Sequence, residues 1–223
     1  MNGRDAWNRV VASDGAAGFT AVAWDRLPEF LNSRAPERWW LVPSFCVRVL
    51  SEFAALSRLD LIQIPAVRNS SEPRATVAGP DSAAAVECIS QLTVIGTRAT
   101  MAVVPSIDVL RAASPGMAAE DVEDELRDLV SELLNAGADA ICVKGNDAMA
   151  LAETIEGLGR IVRHFGRVLV GVALDSAVSG TDNLDVFGVR IGDPWPTTGL
   201  VMATGDLSQE SPILLQEWIR TRA

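Results

Sequence analysis

The chain has 223 residues and a mass of 23.8 kDa, with 48% hydrophobic and 22% charged residues, a balance that excludes disorder, collagen and coiled coil. Lys and Arg total 19 against 29 Asp and Glu, for a net charge of −10 and a pI near 4.6. Such a charge repels phosphate backbones and anionic lipid, so neither nucleic acid nor a membrane surface is an expected partner.

Scarce residues exclude more. The apolar runs, such as Val168–Leu174, are too short to cross a bilayer. The first residues, Met1–Asp5, lack the apolar core of a signal peptide, so a cytoplasmic protein is expected. His164 is the one histidine, which excludes sites built on two or more imidazoles. Cys46, Cys88 and Cys142 are far apart in sequence and form no C-x-x-C pair, so no structural zinc and no disulfide framework is expected. Tyr is absent, and Lys144 is the one lysine among 18 arginines. No residue pattern asks for a metal or a cofactor.

In chain order, short apolar runs alternate with helical patterns. Phe19–Trp24 and Trp39–Ser44 read as strands, and Val47–Leu56 as a helix. Leu59–Pro65 is a strand, Arg68–Pro80 a polar mobile loop, Asp81–Gln91 a helix and Leu92–Arg98 a strand. Met117–Ala136 is the clearest helix: Val122, Leu126, Leu129, Val130, Leu133 and Leu134 form one stripe, acids fill its first turns, and Gly137 stops it. Ala138–Gly145 is a strand, Ala148–His164 a helix and Arg167–Leu174 a strand. Leu184–Ile191 and Gly199–Gly205 are the last strands, and Ile213–Arg220 the last helix.

Eight strands with intervening helices predict an α/β fold: a small (β/α)8 TIM-type barrel spanning 1–223 as a single domain. Some helices are shortened, since Asp175–Asn183 and Gly192–Thr198 leave little room. The alternative is an open doubly wound sheet, although no G-x-G-x-x-G follows any strand.

With large apolar residues facing the helices, Ala140, Cys142 and Lys144 face the axis. The same rule turns Gly96 and Arg98, Gly171, Ala173 and Asp175, and Gly188 and Arg190 inward. It also puts Asp25, Ser44, Gln63, Thr204 and Asp206 at strand ends. Arg98, Lys144 and Arg190 then surround a mouth that suits a small carboxylate or phosphate. Asp175 and Asp206 are the acid or base candidates, and Trp195 is a residue that closes over the ligand. A plainer reading is that strand ends meet solvent and these charges only neutralise one another. Cys142 reads as a small buried hydrophobe, His164 as structural, and Trp39, Trp40 and Trp218 as candidates for a homodimer contact. Serine-hydrolase, P-loop and zincin motifs are absent.

The runs Val94–Thr100, Glu120–Asp128 and Leu133–Ile141, with Leu200–Asp206 and Ser211-Pro212, resemble the uroporphyrinogen decarboxylase superfamily over about half the chain. That superfamily includes corrinoid-dependent methyltransferases and cobalamin-independent methionine synthases. The resemblance implies a barrel and lyase or methyl-transfer chemistry. The family's substrate-loop arginines, early Asp and Tyr have no counterpart here. Its zinc-ligand positions read Ala173-Leu174-Asp175 and Thr204-Gly205-Asp206. The expected function is a divergent enzyme on a small anionic metabolite, of decarboxylase-like lyase or C1/methyl transferase type. Two alternatives stay open: a catalytically degenerate member that binds a ligand or partner, and an aldolase-like enzyme forming a Schiff base at Lys144.

Overall fold

The computed structural model describes residues 3–12, 17–20, 27, 38–56, 58–67, 77, 79–173, 176–182, 184–189, 194–196 and 198–203. Asp25, Asp175, Arg190, Thr204, Asp206, Trp218, the expected helix 213–220 and most of the expected loop 68–80 lie outside them. The helices are α1 (Gly3–Val11), α2 (Pro43–Leu56), α3 (Pro80–Ile95), α4 (Ile107–Ala113), α5 (Ala119–Asn135) and α6 (Ala148–His164). The strands are β1 (Ala17–Thr20), β2 (Leu61–Pro65), β3 (Ala99–Pro105), β4 (Ala140–Gly145), β5 (Val168–Ala173), β6 (Ser176–Ser179), β7 (Val186–Val189) and β8 (Gly199–Ala203).

Local chemistry sets the helix ends. Pro80 opens α3 with its φ already helical, while Gly79 N–H donates to Ser82 Oγ. Gly96 closes α3 in the left-handed region at φ 68°. Asp147 caps α6, accepting from Met149 N–H and Ala150 N–H at 2.9 Å each. Helix α5 buries the whole predicted stripe, Val122 to Leu134.

The strands form two sheets. One runs β2-β3-β4-β5-β6, parallel except that β6 pairs antiparallel with β5; the other runs β1-β8-β7 and is parallel throughout. Thr20 Oγ1 donates to Leu61 O at 3.0 Å, so β1 lies beside β2, and β6 lies beside β7. No ladder joins the two sheets among the described residues, and β6 occupies a place where a regular (β/α)8 chain has a helix.

Strands β2 to β5 of the larger sheet have two buried faces. Ile62, Ile64, Ala102, Val104, Ile141, Val143 and Leu169 pack against the helices. Leu61, Met101, Ala140, Cys142, Val168 and Val170 pack instead with Leu200 and Met202 of the other sheet and with Trp7 and Val10 of α1. Burial on both faces is why these strands read as continuous apolar runs.

Helix α1 is tied beneath the strand N-termini by one carboxylate. Asp139, 5% exposed, accepts from Arg4 Nη2 at 2.7 and 2.8 Å, from Arg167 Nη1 at 3.0 Å and from Thr100 N–H at 3.1 Å. The first residues of β3, β4 and β5 are thereby fastened to the N-terminal helix.

Three expectations are corrected. Leu92–Arg98 is not a strand: Thr93-Val94-Ile95 end α3, with Val94 86% exposed, and the strand is Ala99–Pro105. β-Branched residues favour strands only weakly, and here the helix continues to its glycine stop. Trp39–Ser44 is a 3-10 turn (Trp39–Leu41) and the start of α2, because Pro43 pre-sets a helical first turn. In β5 the expected facing is reversed. Val168, Val170 and Val172 point to the inner cluster, and Gly171 faces α6, where a Cβ would lie 2.6 Å from Ile155 Cδ1. The small side of this strand admits the helix, and the large side fills the interior.

Replacing Asp139 with Ala leaves two guanidinium groups and a buried N–H without their carboxylate and is expected to lower unfolding free energy by about 3 kcal/mol. Chemical denaturation checks this, and a loss below about 1 kcal/mol would contradict the clamp. Gly199 stands at φ 78°, and a Cβ there would lie 2.6 Å from Asp185 O, a carbonyl held by Leu200 N–H. Gly199→Ala is expected to destabilise by about 2 kcal/mol, whereas Gly157→Ala, in open space on α6, should stabilise by about 0.5–1 kcal/mol.

Candidate functional site

The inner face grades from closed to open along the strands. At the N-terminal side Leu61, Ala99, Met101, Ala140 and Val170 have no measurable exposure. Toward the C-terminal side Val103 and Val172 are only partly buried. Trp7 and Val10 plug one end of this interior, and the opposite end, where inner side chains among the described residues are only partly buried, is the candidate mouth. It lies where α/β folds place their sites.

Lys144 stands at that mouth. It shares the inward phase of Ala140 and Cys142, pairs with Pro105 on one side and Val172 on the other, and is exposed. Its backbone is held on two sides. Ser106 N–H donates to Lys144 O at 2.9 Å, and the following turn is fixed by the Asp147 cap. Gly145 is required there, since a Cβ would lie 2.8 Å from Ser106 Oγ, itself bonded to Asp108 Oδ1. A lysine on a fixed strand above a largely apolar inner face is a pre-placed amine.

Cys142 lies one inward position deeper and is buried. Burial pushes its thiol up to about 12, and the nearby Lys144 ammonium opposes that only in part. The thiol is therefore neutral at physiological pH and behaves as a small apolar group, as the sequence implies.

The other expected residues do not all converge. Gln63 is inward and buried in mid-strand, so it lines the interior wall. Arg98 precedes β3 at its N-terminal end, packed against the position of Gly3 in α1. A full strand length, roughly 20 Å, separates it from the mouth. The misread strand at Leu92–Arg98 is the cause. Ser44 is exposed in the first turn of α2 instead of at a strand end. Trp195 is half-buried against the helix-side core. Asp25, Asp175, Arg190 and Asp206 lie outside the described residues. His164 ends α6 and meets Phe165 edge-on at 5.7 Å. Trp39 is 3% exposed, and Trp40 Nε1 donates to Asp81 Oδ1 at 3.1 Å, so both serve the fold's own packing.

A second hollow of about 250 Å³ lies between α4, α5 and α6, floored by Ile107, Leu126 and Leu158. Its acidic rim (Glu123, Glu153, Glu156) disfavours anions, and Glu123 is already paired with Arg111 at 2.6 Å and Arg127 at 3.3 Å. Among the described residues no cluster of three or more metal-ligating side chains occurs, and no helix is long and apolar enough to cross a membrane.

Iodoacetamide at pH 8 is expected to leave Cys142 unmodified in the folded chain and to label it after unfolding; equal rates would contradict its burial. The sign of the pH dependence follows. The unfolded thiol releases its proton near its ordinary value of 9.0, while the folded one holds it to about 12. This contribution to stability is complete below pH 9 and is lost as pH rises through that window.

No protein-family model matches the chain, and no curated protein matches its sequence.

Proposed function

We propose that the chain is a divergent barrel of the uroporphyrinogen decarboxylase kind that takes a small anionic metabolite at the C-terminal ends of its strands. The chemistry in this reading is that of a decarboxylase-like lyase or a one-carbon transferase. Lys144 carries the proposal: the chain's one lysine stands on the inner face, at the C-terminal end of a wall whose other described residues, Gln63 apart, are mostly apolar. A cation so placed, flanked on the neighbouring strands by Pro105 and Val172 and exposed, suits a carboxylate or phosphate.

Two observations support closure into a barrel. Strand order follows chain order through β2 to β6 and again through β7, β8 and β1, without the reversal that defines a doubly wound sheet. The two sheets also contribute to one inner cluster and touch at both junctions. In this reading Arg190 adds a second cation, and Asp175 and Asp206 serve as acid and base; Arg98 is excluded by its place at the opposite end.

A second reading has its own observation. The apolar neighbours of Lys144, namely Pro105, Val103 and Val172, admit a carbonyl carbon to the amine, as Schiff-base chemistry requires.

The test is a thermal-shift screen with oxalate, malonate, succinate, citrate and inorganic phosphate. A ligand at 100 times its Kd stabilises by about 2.7 kcal/mol, or roughly 5–10 °C for a chain of this size. The shift should vanish in Lys144→Met and persist in Lys144→Arg; survival in Lys144→Met would refute the reading. Borohydride trapping of pyruvate on wild type, but not on Lys144→Arg, would select the Schiff-base alternative.

A further inference from the structure

Two of the three cysteines meet in the fold although 42 positions separate them. Cys46 lies in the first half of α2 and Cys88 in the middle of α3, and their sulfurs are 3.4 Å apart. Both side chains are buried, at 2% and 1% exposure, and both are free thiols. The two helices pack on each other, and Trp40, three residues before α2 begins at Pro43, donates to Asp81 in the first turn of α3. That bond ties the start of one helix to the start of the other, so the two sulfurs are held opposite each other.

We propose that Cys46 and Cys88 are an oxidisable dithiol that closes to an intramolecular disulfide and staples α2 to α3. The sulfurs need to approach by about 1.4 Å to reach the bonded distance of about 2.05 Å. The inference is independent of the mouth at Lys144, which neither helix supplies.

The bond between the thiols assigns the order of events. Cys88 S–H donates to Cys46 Sγ. That hydrogen bond, followed by burial, holds the Cys88 thiol well above its ordinary range. Cys46 is therefore the sulfur that attacks hydrogen peroxide: its S–H bond and the O–O bond break, an S–O bond forms, and one water leaves. Cys88 Sγ then attacks the Cys46 sulfur, the S–O bond breaks, and a second water leaves with the Cys88 proton. Two thiols lose two electrons and two protons, and one peroxide gains them.

Burial slows the first step, and proximity speeds the second. The product is an internal bridge in preference to over-oxidised cysteine. A bridge closing a loop of this length restricts the unfolded chain and raises Tm by about 10 °C.

The test treats the full-length chain with hydrogen peroxide, blocks remaining thiols under denaturing conditions and maps peptides by mass spectrometry. The expected result is one Cys46–Cys88 linked peptide, free Cys142, a monomeric product and a Tm rise that dithiothreitol reverses. Cys142→Ser should behave as wild type, and Cys46→Ser and Cys88→Ser should each lose the rise. Persistence of both free thiols under conditions that oxidise exposed cysteine, linkage to Cys142 or between chains, or an unchanged Tm in the linked form would overturn the proposal. The wild-type peptide map decides the matter even where a variant folds poorly.

Discussion

A single buried carboxylate, Asp139, organises one end of this molecule. It sits just before β4 and gathers Arg4 from α1, Arg167 from the approach to β5 and the Thr100 amide near the start of β3. Three segments distant in sequence are thereby brought to one level. An isolated charge in such a place would be prohibitive; with four hydrogen bonds from three donors it becomes a reason for the strands to start together. The seating of Trp7 and Val10 beneath the sheet follows from the same contact, because Arg4 belongs to their helix.

With that end sealed, the other end of the interior is the place to look for an opening. Among the described residues the inner side chains of β3 and β5 lose burial toward the strand C-termini, and Lys144 is the charged inner residue there. The interior itself is filled by Met101, Cys142, Val168 and Val170, so it is a packed floor with a shallow entrance. Electrostatics at the two ends differ in kind. The Asp139 cluster is satisfied internally, while Lys144 is offered outward.

Much of this was legible in the sequence, for physical reasons that also explain the failures. Ala148–His164 matches α6 residue for residue, because an apolar stripe runs along it and Asp147 caps its start. The inward phase of β4 held because large residues do face the helices there. It failed in β5, where Gly171 makes way for Leu151 and Ile155 and the valines turn inside. Size alone cannot tell which side of a strand needs room. The Leu92–Arg98 error came from weighing β-branched residues above the stop at Gly96, and it carried Arg98 to the wrong end of the site. The role of Asp139 carries no local signal in the sequence, since its partners at positions 4 and 167 are set by tertiary structure. The Cys46–Cys88 encounter was hidden for the same reason: sequence distance is a poor guide to neighbours on adjacent helices.

The near-replacement of lysine by arginine has an experimental consequence. Guanidinium groups are inert to acylating and reductive-alkylating reagents that amines accept, so the folded chain presents one side-chain amine, at its open end. A fluorophore, spin label or isotopically enriched methyl group introduced by such chemistry would report from that entrance, with the chain's α-amino group as the competing position. The molecule thus comes with a built-in single-site spectroscopic handle at the place of greatest interest.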